Sequence, residues 1–472
     1  MTPDRPMKLR FAPSPTGFLH IGGARTAIFN LLHARRHGGR MVLRIEDTDV
    51  ERSRQHHAEQ IIASLSWLGA EWDEGPFYQS DRIERYRERV HELVAKGRAY
   101  RCRCTVEELE AERAEAEARG GQYRYSRKCR QRVIEEDEGP YVIRFQVPDG
   151  PIRFMDHIRG DVEFEGDLID DFVLLRSDGN PTYHLSVVVD DIDMGITLVA
   201  RGDDHLSNTP KHVLLFQAFD APVPEFAHVP LILGTDRKRL SKRSGATSVE
   251  EYQSMGILPE ALFNFLVLLG WSPKGDREVI SRNDAEALFD LADVNHSAAV
   301  FDLDKLIWLN HQYLQAKQPA DLVAPLEPFL GVPVDQETLL RAIPLLQPRA
   351  RTLREMAEQA APFFMGADSI EYEADAVKKH LKGDDLEVRM KELREAFSAL
   401  EPFDTATTEE ALRALAESRG NSAGKYIHPL RVALTGKMAS PPIFDVAVLF
   451  GKQGTLERLD RMIARLPELL AQ

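Results

Sequence analysis

The stretch from residue 8 to residue 47 constrains this chain more than any other. Leu9 and Phe11 alternate with polar neighbours as a short strand, and a loop, Pro13-Ser14-Pro15-Thr16-Gly17, follows. Ala27, Ile28, Leu31 and Leu32 then recur at helical spacing, Gly38-Gly39 stops that helix, and Met41, Leu43 and Ile45 alternate again. A strand, a helix and a second strand in about 40 residues predict a parallel pair joined by a right-handed crossover. Ligands of such units bind where strand gives way to helix, which directs attention to Ser14-Pro15-Thr16-Gly17-Phe18-Leu19-His20-Ile21-Gly22-Gly23. Gly22 and Gly23 admit a ligand close to the backbone, the helix N-terminus offers N–H groups to a phosphate, and His20 can donate to a phosphate oxygen as charge builds there. Taken alone, the same residues also read as a glycine-bearing turn capped by a threonine, Thr16.

A second motif lies far downstream. Lys238-Arg239-Leu240-Ser241-Lys242-Arg243-Ser244-Gly245 begins with four cations in six residues, with Gly234 before it. A lone basic loop is ordinarily solvated. Glycine on both sides predicts a mobile loop, and a lysine that closes on a triphosphate, here Lys242, would stabilise departing pyrophosphate.

In this order and on this fold, the two motifs resemble the signature pair of the class I aminoacyl-tRNA synthetases. His20-Ile21-Gly22-Gly23 is similar to the family's HIGH motif, and Arg239-Leu240-Ser241-Lys242-Arg243 to its KMSKS motif. Gly23 stands where the family has a second histidine, and Arg239 where it has a first lysine. Further stretches resemble the bacterial glutamyl-tRNA synthetases: residues 10–17 (Arg10 to Gly17), Leu43-Arg44-Ile45-Glu46-Asp47-Thr48-Asp49, Tyr183-His184-Leu185, Val188-Val189-Asp190-Asp191, Arg201-Gly202-Asp203-Asp204-His205 and Thr209-Pro210-Lys211-His212.

That resemblance implies a two-step reaction. Glutamate is activated by ATP, with Mg²⁺ on the phosphates, and is then transferred to the 3'-terminal adenosine of tRNA(Glu), activation needing bound tRNA. It implies an ATP site at His20, Gly22, Gly23, Arg239, Leu240, Ser241, Lys242 and Arg243, with His20, Lys242 and Thr16 catalytic. It also implies a glutamate pocket of Arg10, Ala12, Ser14, Glu46, Tyr183 and Arg201. The chemistry suits the ligand. Arginine forks match carboxylates, Glu46 at a strand's carboxyl end is a natural partner for the amine, and glutamine would set amide donors against an arginine donor.

The fold class expected is α/β: a Rossmann-type catalytic domain with an α+β insertion, followed by an all-α anticodon-binding domain. The divisions are 1–100 and 185–250 for the split catalytic domain, 101–184 for an acceptor-binding insertion, 251–320 for a stem-contact domain and 321–472 for the helical domain. Within these, 105–119 reads as a solvated charged helix, 141–190 as strand-rich, and Glu260 to Trp271 as one apolar-faced helix.

Cys102, Cys104 and Cys129 are an odd set with no secretory signal before them, which argues against a disulfide framework. Their spacing suits a zinc knuckle. Relatives carry a fourth ligand two residues after the last cysteine; Gln131 is a poor one there, and Tyr125 is the nearest alternative. Three free thiols in a relic of such a site is the competing reading. The basic residues Arg124, Arg127, Lys128, Arg130 and Arg132 around the knuckle read either as a face balancing Glu135 to Glu138 or as a contact for the tRNA acceptor end. Arg349, Arg351 and Arg354 are candidates to meet anticodon nucleotides.

A net charge of −15 excludes a general nucleic-acid binder but not one structured RNA on a locally basic face. With no signal peptide at the polar N-terminus and no apolar run long enough to span a bilayer, a cytoplasmic monomer without membrane contact is expected. Alternatives at this point are an enzyme charging both tRNA(Glu) and tRNA(Gln), the short relative that glutamylates queuosine, a small-molecule nucleotidyltransferase, and a non-catalytic RNA-binding paralogue. The long helical tail disfavours the second and third. Intact His20, Lys242, Glu46 and both arginines disfavour the last.

Overall fold

A computed structural model describes residues 5–48, 55–120, 123–134, 139–240, 247–275 and 277–471. The chain forms two compact units, one made of Met1–Tyr252 with Pro259–Leu303, the other of Gln253–Leu258 with Asp304–Gln472.

The first unit opens as the alternation predicts. Strand β1 (Lys8–Phe11), helix α1 (Ile21–Arg36) and strand β2 (Arg40–Ile45) make a parallel crossover, with Leu9 opposite Met41 and Phe11 opposite Leu43. Helix α1 is buried on nearly all sides, which is why its apolar residues run almost without a polar face. After α2 (Gln55–Trp67), strand β3 (Glu74–Tyr78) pairs with β2 in parallel, and the register slips between Val42 and Arg44. Gly75 lies at the slip. A Cβ there would come within 2.3 Å of the Leu43 carbonyl oxygen, so only glycine fits.

Helix α3 (Ile83–Ala95) leads into the inserted segment. There β4 (Ala99–Cys102), α4 (Val106–Ala118), β5 (Val142–Phe145), β6 (Pro151–Asp156), β7 (Gly160–Glu165) and β8 (Val173–Leu175) follow in turn. Strands β4, β5 and β8 form their own antiparallel sheet. Helix α4 buries none of its residues, as its charge pattern predicts, and is closed by a Thr105–Glu108 capping box. The β6–β7 hairpin instead joins the central sheet, where β6 pairs with β10 (Glu225–Val229) and β10 with β9 (Leu198–Gly202). Thr197 donates its N–H to the Lys8 carbonyl at 2.9 Å, which brings the start of β9 against β1.

Two readings from sequence are corrected here. The stretch read as strand-rich to residue 190 ends in a helix, α5 (Tyr183–Asp193), despite its run Val187-Val188-Val189. Those valines are wholly buried, Val188 and Val189 in a core shared with Val90 of α3, Val199 of β9 and Leu215 of α6 (Thr209–Ala218), and burial outweighs β-propensity. The helix expected over Glu260–Trp271 is Pro259–Leu268. It stops because the chain turns at Gly270, whose φ is +117°.

The second unit is helical throughout, from the body of the helix Leu303–Ala316 to the last, Ile443–Leu470, which bends at Gly451 (φ +73°). Its core is built from rows such as Leu322, Leu326 and Leu330, and Leu339, Ile343 and Leu346. Among the described residues no helix is long and apolar enough to cross a membrane.

Candidate active site

His20 is the N-cap of α1. Its Nδ1 accepts the Gly23 N–H at 3.1 Å, which leaves the proton of the neutral ring on Nε2. The imidazole faces solvent on one side and is walled by protein on the others. That desolvation and the Arg239 guanidinium lower its pKa, while Asp204 works the other way. The cap is thus His20 rather than Thr16, which lies exposed on the preceding loop. The capping consumes donors expected for phosphate. Ile21 donates to the Thr247 carbonyl, Gly23 to His20 Nδ1 and Ala24 to the His20 carbonyl, so among the first-turn amides Gly22 is the remaining one. Gly22 has a second reason to be glycine, since a Cβ would stand 3.0 Å from the His20 ring.

The two motifs converge. Leu240 donates its N–H to the Ile232 carbonyl, and Arg239 pairs with Asp204 at 3.1 Å. On the far side of the basic loop, Ser248 bridges His20, and Val249 donates to the Leu19 carbonyl at 3.0 Å. Ser241, Lys242 and Arg243 lie outside the described residues.

Behind His20 is a buried polar cluster. Arg10, 4% exposed, donates from Nε to Asp191 at 3.2 Å, and none of the described residues accepts from its two terminal amines. Arg44 is fully buried among three carboxylates: Asp191 at 2.7 Å, Glu46 at 3.2 Å and Asp190 at 3.6 Å. Burial alone would lower its pKa, but these three acids more than reverse that. Burial likewise pushes Asp191 up, and Arg10 with Arg44 more than reverse that. Glu46 follows β2 and donates its N–H to the Pro13 carbonyl at 2.9 Å. Its balance is the opposite. Burial raises its pKa, and the pull of Arg44 and Arg10, both shared with Asp191, does not restore it. An ammonium group is the counter-charge this carboxylate needs. Ala12 is partly buried beside it, and Ser14 is exposed.

Among the described residues, Arg201, at 6% exposure, hydrogen-bonds only to neutral partners. It donates to His228 Nε2 at 3.3 Å, Tyr183 Oη at 3.2 Å, His212 Nδ1 at 3.3 Å and Thr209 Oγ1 at 2.8 Å. Burial lowers its pKa. The surrounding histidines stay uncharged for the same reason, helped by the Arg201 charge: burial pushes His205 down to about 4, His184 to about 3, and His212 well below its usual value. The hydrogen bonds fix their tautomers. His228 accepts from Arg201 on Nε2, so its Nδ1–H goes to the buried Asp156 at 2.6 Å. His212 accepts from Arg201 on Nδ1, so its Nε2–H goes to His184 Nδ1 at 3.2 Å. A buried guanidinium held only by neutral groups is a receptor for an anion, and a carboxylate matches its fork. Arg10, Glu46, Asp191 and Arg201 all act on the ionisation of the buried Tyr183 phenol, so the four charged or phenolic residues of the predicted pocket share one field.

Residues 6–308 match the family described as tRNA synthetases class I (E and Q), catalytic domain, and residues 321–463 match an anticodon binding domain. The chain belongs to the class I tRNA synthetases (E and Q). Its similar relatives include the glutamate–tRNA ligase of Geobacter sulfurreducens, 48% identical over 98% of this chain and 99% of that one. Another is glutamate–tRNA ligase 1 of Alkalilimnicola ehrlichii, 48% identical over 97% and 98%. Among solved structures, a glutamate tRNA ligase from Elizabethkingia meningosepticum in complex with its amino acid superposes with a TM-score of 0.86 at 35% identity, covering 98% of this chain and 99% of that one.

Elsewhere in this synthetase the cysteine cluster forms as one group. Tyr125 Oη lies 3.2 Å from Cys102 Sγ and 3.5 Å from Cys104 Sγ, and Cys104 Sγ lies 3.6 Å from Cys129 Sγ. The three sulfurs all lie within 4.8 Å of one another; a tetrahedral zinc with bonds of about 2.3 Å to sulfur and 2.0 Å to oxygen sets ligand atoms roughly 3.5–3.8 Å apart, close to the Tyr125–Cys104 and Cys104–Cys129 separations. Gln131 is exposed and stands outside the cluster, while Tyr125 is inside it. Of the basic residues around the knuckle, Arg127 and Arg130 approach the buried Asp171 at 3.4 and 3.5 Å, and Lys128 pairs with Glu112 at 3.2 Å. Arg124, Lys128 and Arg132 are exposed; Glu135 to Glu138 lie outside the described residues. In the helical unit, Arg349 donates to the Ser440 carbonyl, Arg351 pairs with Glu355, and Arg354 donates to the Ser254 carbonyl.

Proposed function

We propose that this synthetase is a glutamate–tRNA ligase that activates L-glutamate with ATP and transfers it to the terminal adenosine of tRNA(Glu). The observation that carries the reading is the pairing of two buried arginines, Arg10 and Arg201, with an under-compensated carboxylate, Glu46. Two guanidinium forks and one acid suit a ligand with two carboxylates and one ammonium. The names of the similar relatives point the same way.

In the first step the α-carboxylate attacks the α-phosphorus of ATP in line, and pyrophosphate leaves. Arg10 and Arg201 receive the carboxylates, Glu46 takes the ammonium, and Tyr183 walls the side chain. Glutamine would present amide N–H to a guanidinium that is itself a donor. His20 donates its Nε2–H to a phosphate oxygen, and that bond strengthens as charge develops. Thr16, Gly22, Gly23, Arg239 and Leu240 border the nucleotide with Ser241, Lys242 and Arg243. Lys242 stabilises the departing pyrophosphate, and replacing it with alanine should slow activation more than His20→Ala does. Mg²⁺ enters with ATP as its counter-ion. In the second step the terminal adenosine hydroxyl attacks the glutamyl carbonyl and AMP leaves. Positioning and charge stabilisation supply the acceleration in both.

The regions 1–100 and 185–250 do this chemistry, 101–184 receives the acceptor end with the exposed Arg124 and Arg132 at its phosphates, 251–320 contacts the stem, and 321–472 binds the anticodon. Cys102, Cys104, Cys129 and Tyr125 would hold a zinc ion that cross-links the insertion and takes no part in the reaction. The enzyme works as a cytoplasmic monomer. Measuring ATP–pyrophosphate exchange with glutamate, with and without tRNA, and then charging tRNA(Glu) and tRNA(Gln) separately, tests the reading. Exchange that appears with tRNA and charging of tRNA(Glu) alone is expected. Charging of both tRNAs would mean relaxed specificity, and no exchange under any condition would overturn the activity.

A further inference from the structure

A second constellation sits at the other end of α1. His33 and His37 are one helical turn apart, about 20 Å along the axis from His20, and their ring centroids are 4.4 Å apart. Asp290, in the segment after helix α9 (Arg282–Leu288), faces both. Its Oδ2 lies 3.0 Å from His37 Nε2, and its Oδ1 lies 3.6 Å from His33 Nδ1. Three ligand atoms, one from each side chain, lie within 4.8 Å of one another.

The group is graded from inside to outside. The side chains of His33, Asp290 and His37 are 2%, 17% and 36% exposed. The nitrogen that faces Asp290 is His33 Nδ1, which accepts the Leu291 N–H only at 3.3 Å, a long bond that a cation would displace. The buried Nε2 has no hydrogen-bond partner among the described residues and carries the proton of the neutral ring. Two histidines at i and i+4 with a carboxylate opposite are a chelating set. Zinc bonds of about 2.0–2.1 Å would set these donors roughly 3.3–3.4 Å apart, between the two distances observed.

We propose that His33, His37 and Asp290 bind a divalent transition cation of the zinc, cobalt or nickel kind, with water completing the shell on the exposed side. Imidazole donors select these ions over Mg²⁺. The site is independent of the reaction proposed above and acts as a clamp between the end of α1 and the segment that follows α9. One neighbour opposes it. Arg36 Nη1 lies 3.7 Å from Asp290 Oδ2 while donating to the Leu288 carbonyl. Its positive charge weakens the site, so removing it should tighten binding.

The test uses the full chain stripped of metal and titrated with Co²⁺ and Zn²⁺. Any cobalt bound by the cysteines reports through intense thiolate-to-metal absorption, whereas the histidine site gives only weak ligand-field bands. The wild type should bind one more equivalent of Co²⁺ than His37→Gln or Asp290→Asn, with the thiolate absorption identical in all three. Arg36→Ala should bind that equivalent several-fold more tightly. His37 is exposed enough that its substitution leaves the fold intact, which circular dichroism checks. Equal stoichiometry in the wild type and both variants would overturn the proposal, as would unchanged affinity in Arg36→Ala.

Discussion

Arg44→Met is the substitution whose outcome the structure specifies most closely. The guanidinium is fully buried and touches three acids, Asp191, Glu46 and Asp190. Two of them keep other partners. Asp191 retains Arg10, and Asp190 retains Arg82 with hydrogen bonds from Gln79 and Tyr86. Glu46 has no other ion-pair partner among the described residues. Removing one side of a buried pair costs about 3–5 kcal/mol. With two of three acids still served, about 3 kcal/mol is expected, a fall on the order of 6 °C in the transition of the catalytic unit. The stranded charge on Glu46 is the cause, so Arg44→Met/Glu46→Gln should regain part of the loss at neutral pH. The gain should vanish on acidification, because Glu46, whose pKa is already raised above 4.5 by burial, then protonates and its penalty disappears. Thermal unfolding of the wild type and the variants (the Glu46→Gln single included) at several pH values measures this. A double variant no more stable than Arg44→Met at neutral pH would refute the reasoning.

Three further outcomes follow from the same geometry. Glutamate should bind more weakly as pH falls, with a midpoint above the ordinary 4.5 of a glutamate side chain, because protonated Glu46 cannot pair with the substrate ammonium; a flat pH profile of the glutamate KM would contradict the role. His20→Ala should lose both the α1 cap, about 1 kcal/mol, and activation, whereas His20→Asn should restore the stability and not the activity; calorimetry with pyrophosphate exchange separates the two. Purified His37→Gln protein, which lacks the histidine site, should carry about one equivalent of zinc at the cysteines, and adding Tyr125→Phe should weaken its retention against a chelator; far less than one equivalent would remove the cysteine-bound metal from the account.

The sequence displays the parts of this site proposed to meet a ligand and conceals the parts that hold them. Arg10, His20 and Glu46 stand at the ends of elements whose periodicity is plain, so their place beside a βα loop follows from order alone. Arg201 follows in the same way from the strand at Leu198–Gly202. The supporting residues are different. Asp191 joins Arg10 across 181 residues, and Asp156 joins His228 across 72, and no local pattern links such pairs. A signal was present in two places. Arg44 interrupts Met41-Val42-Leu43 and Ile45, and Asp190-Asp191 follows three valines. A charge inside an apolar run is buried, and a buried charge needs a partner. Helix α5 was obscured by those same valines, because local propensity favours a strand where packing demands a helix.

The role of Arg201 tests the central claim most directly. Among the described residues its guanidinium hydrogen-bonds only to neutral partners, and the proposed function gives it a substrate carboxylate as counter-charge. Pyrophosphate exchange by Arg201→Met in the presence of tRNA(Glu) should show a glutamate KM raised by about two to three orders of magnitude, in line with the roughly 3–5 kcal/mol of a buried charged pair. Its ATP KM should stay unchanged. A glutamate KM equal to that of the wild type would contradict the account.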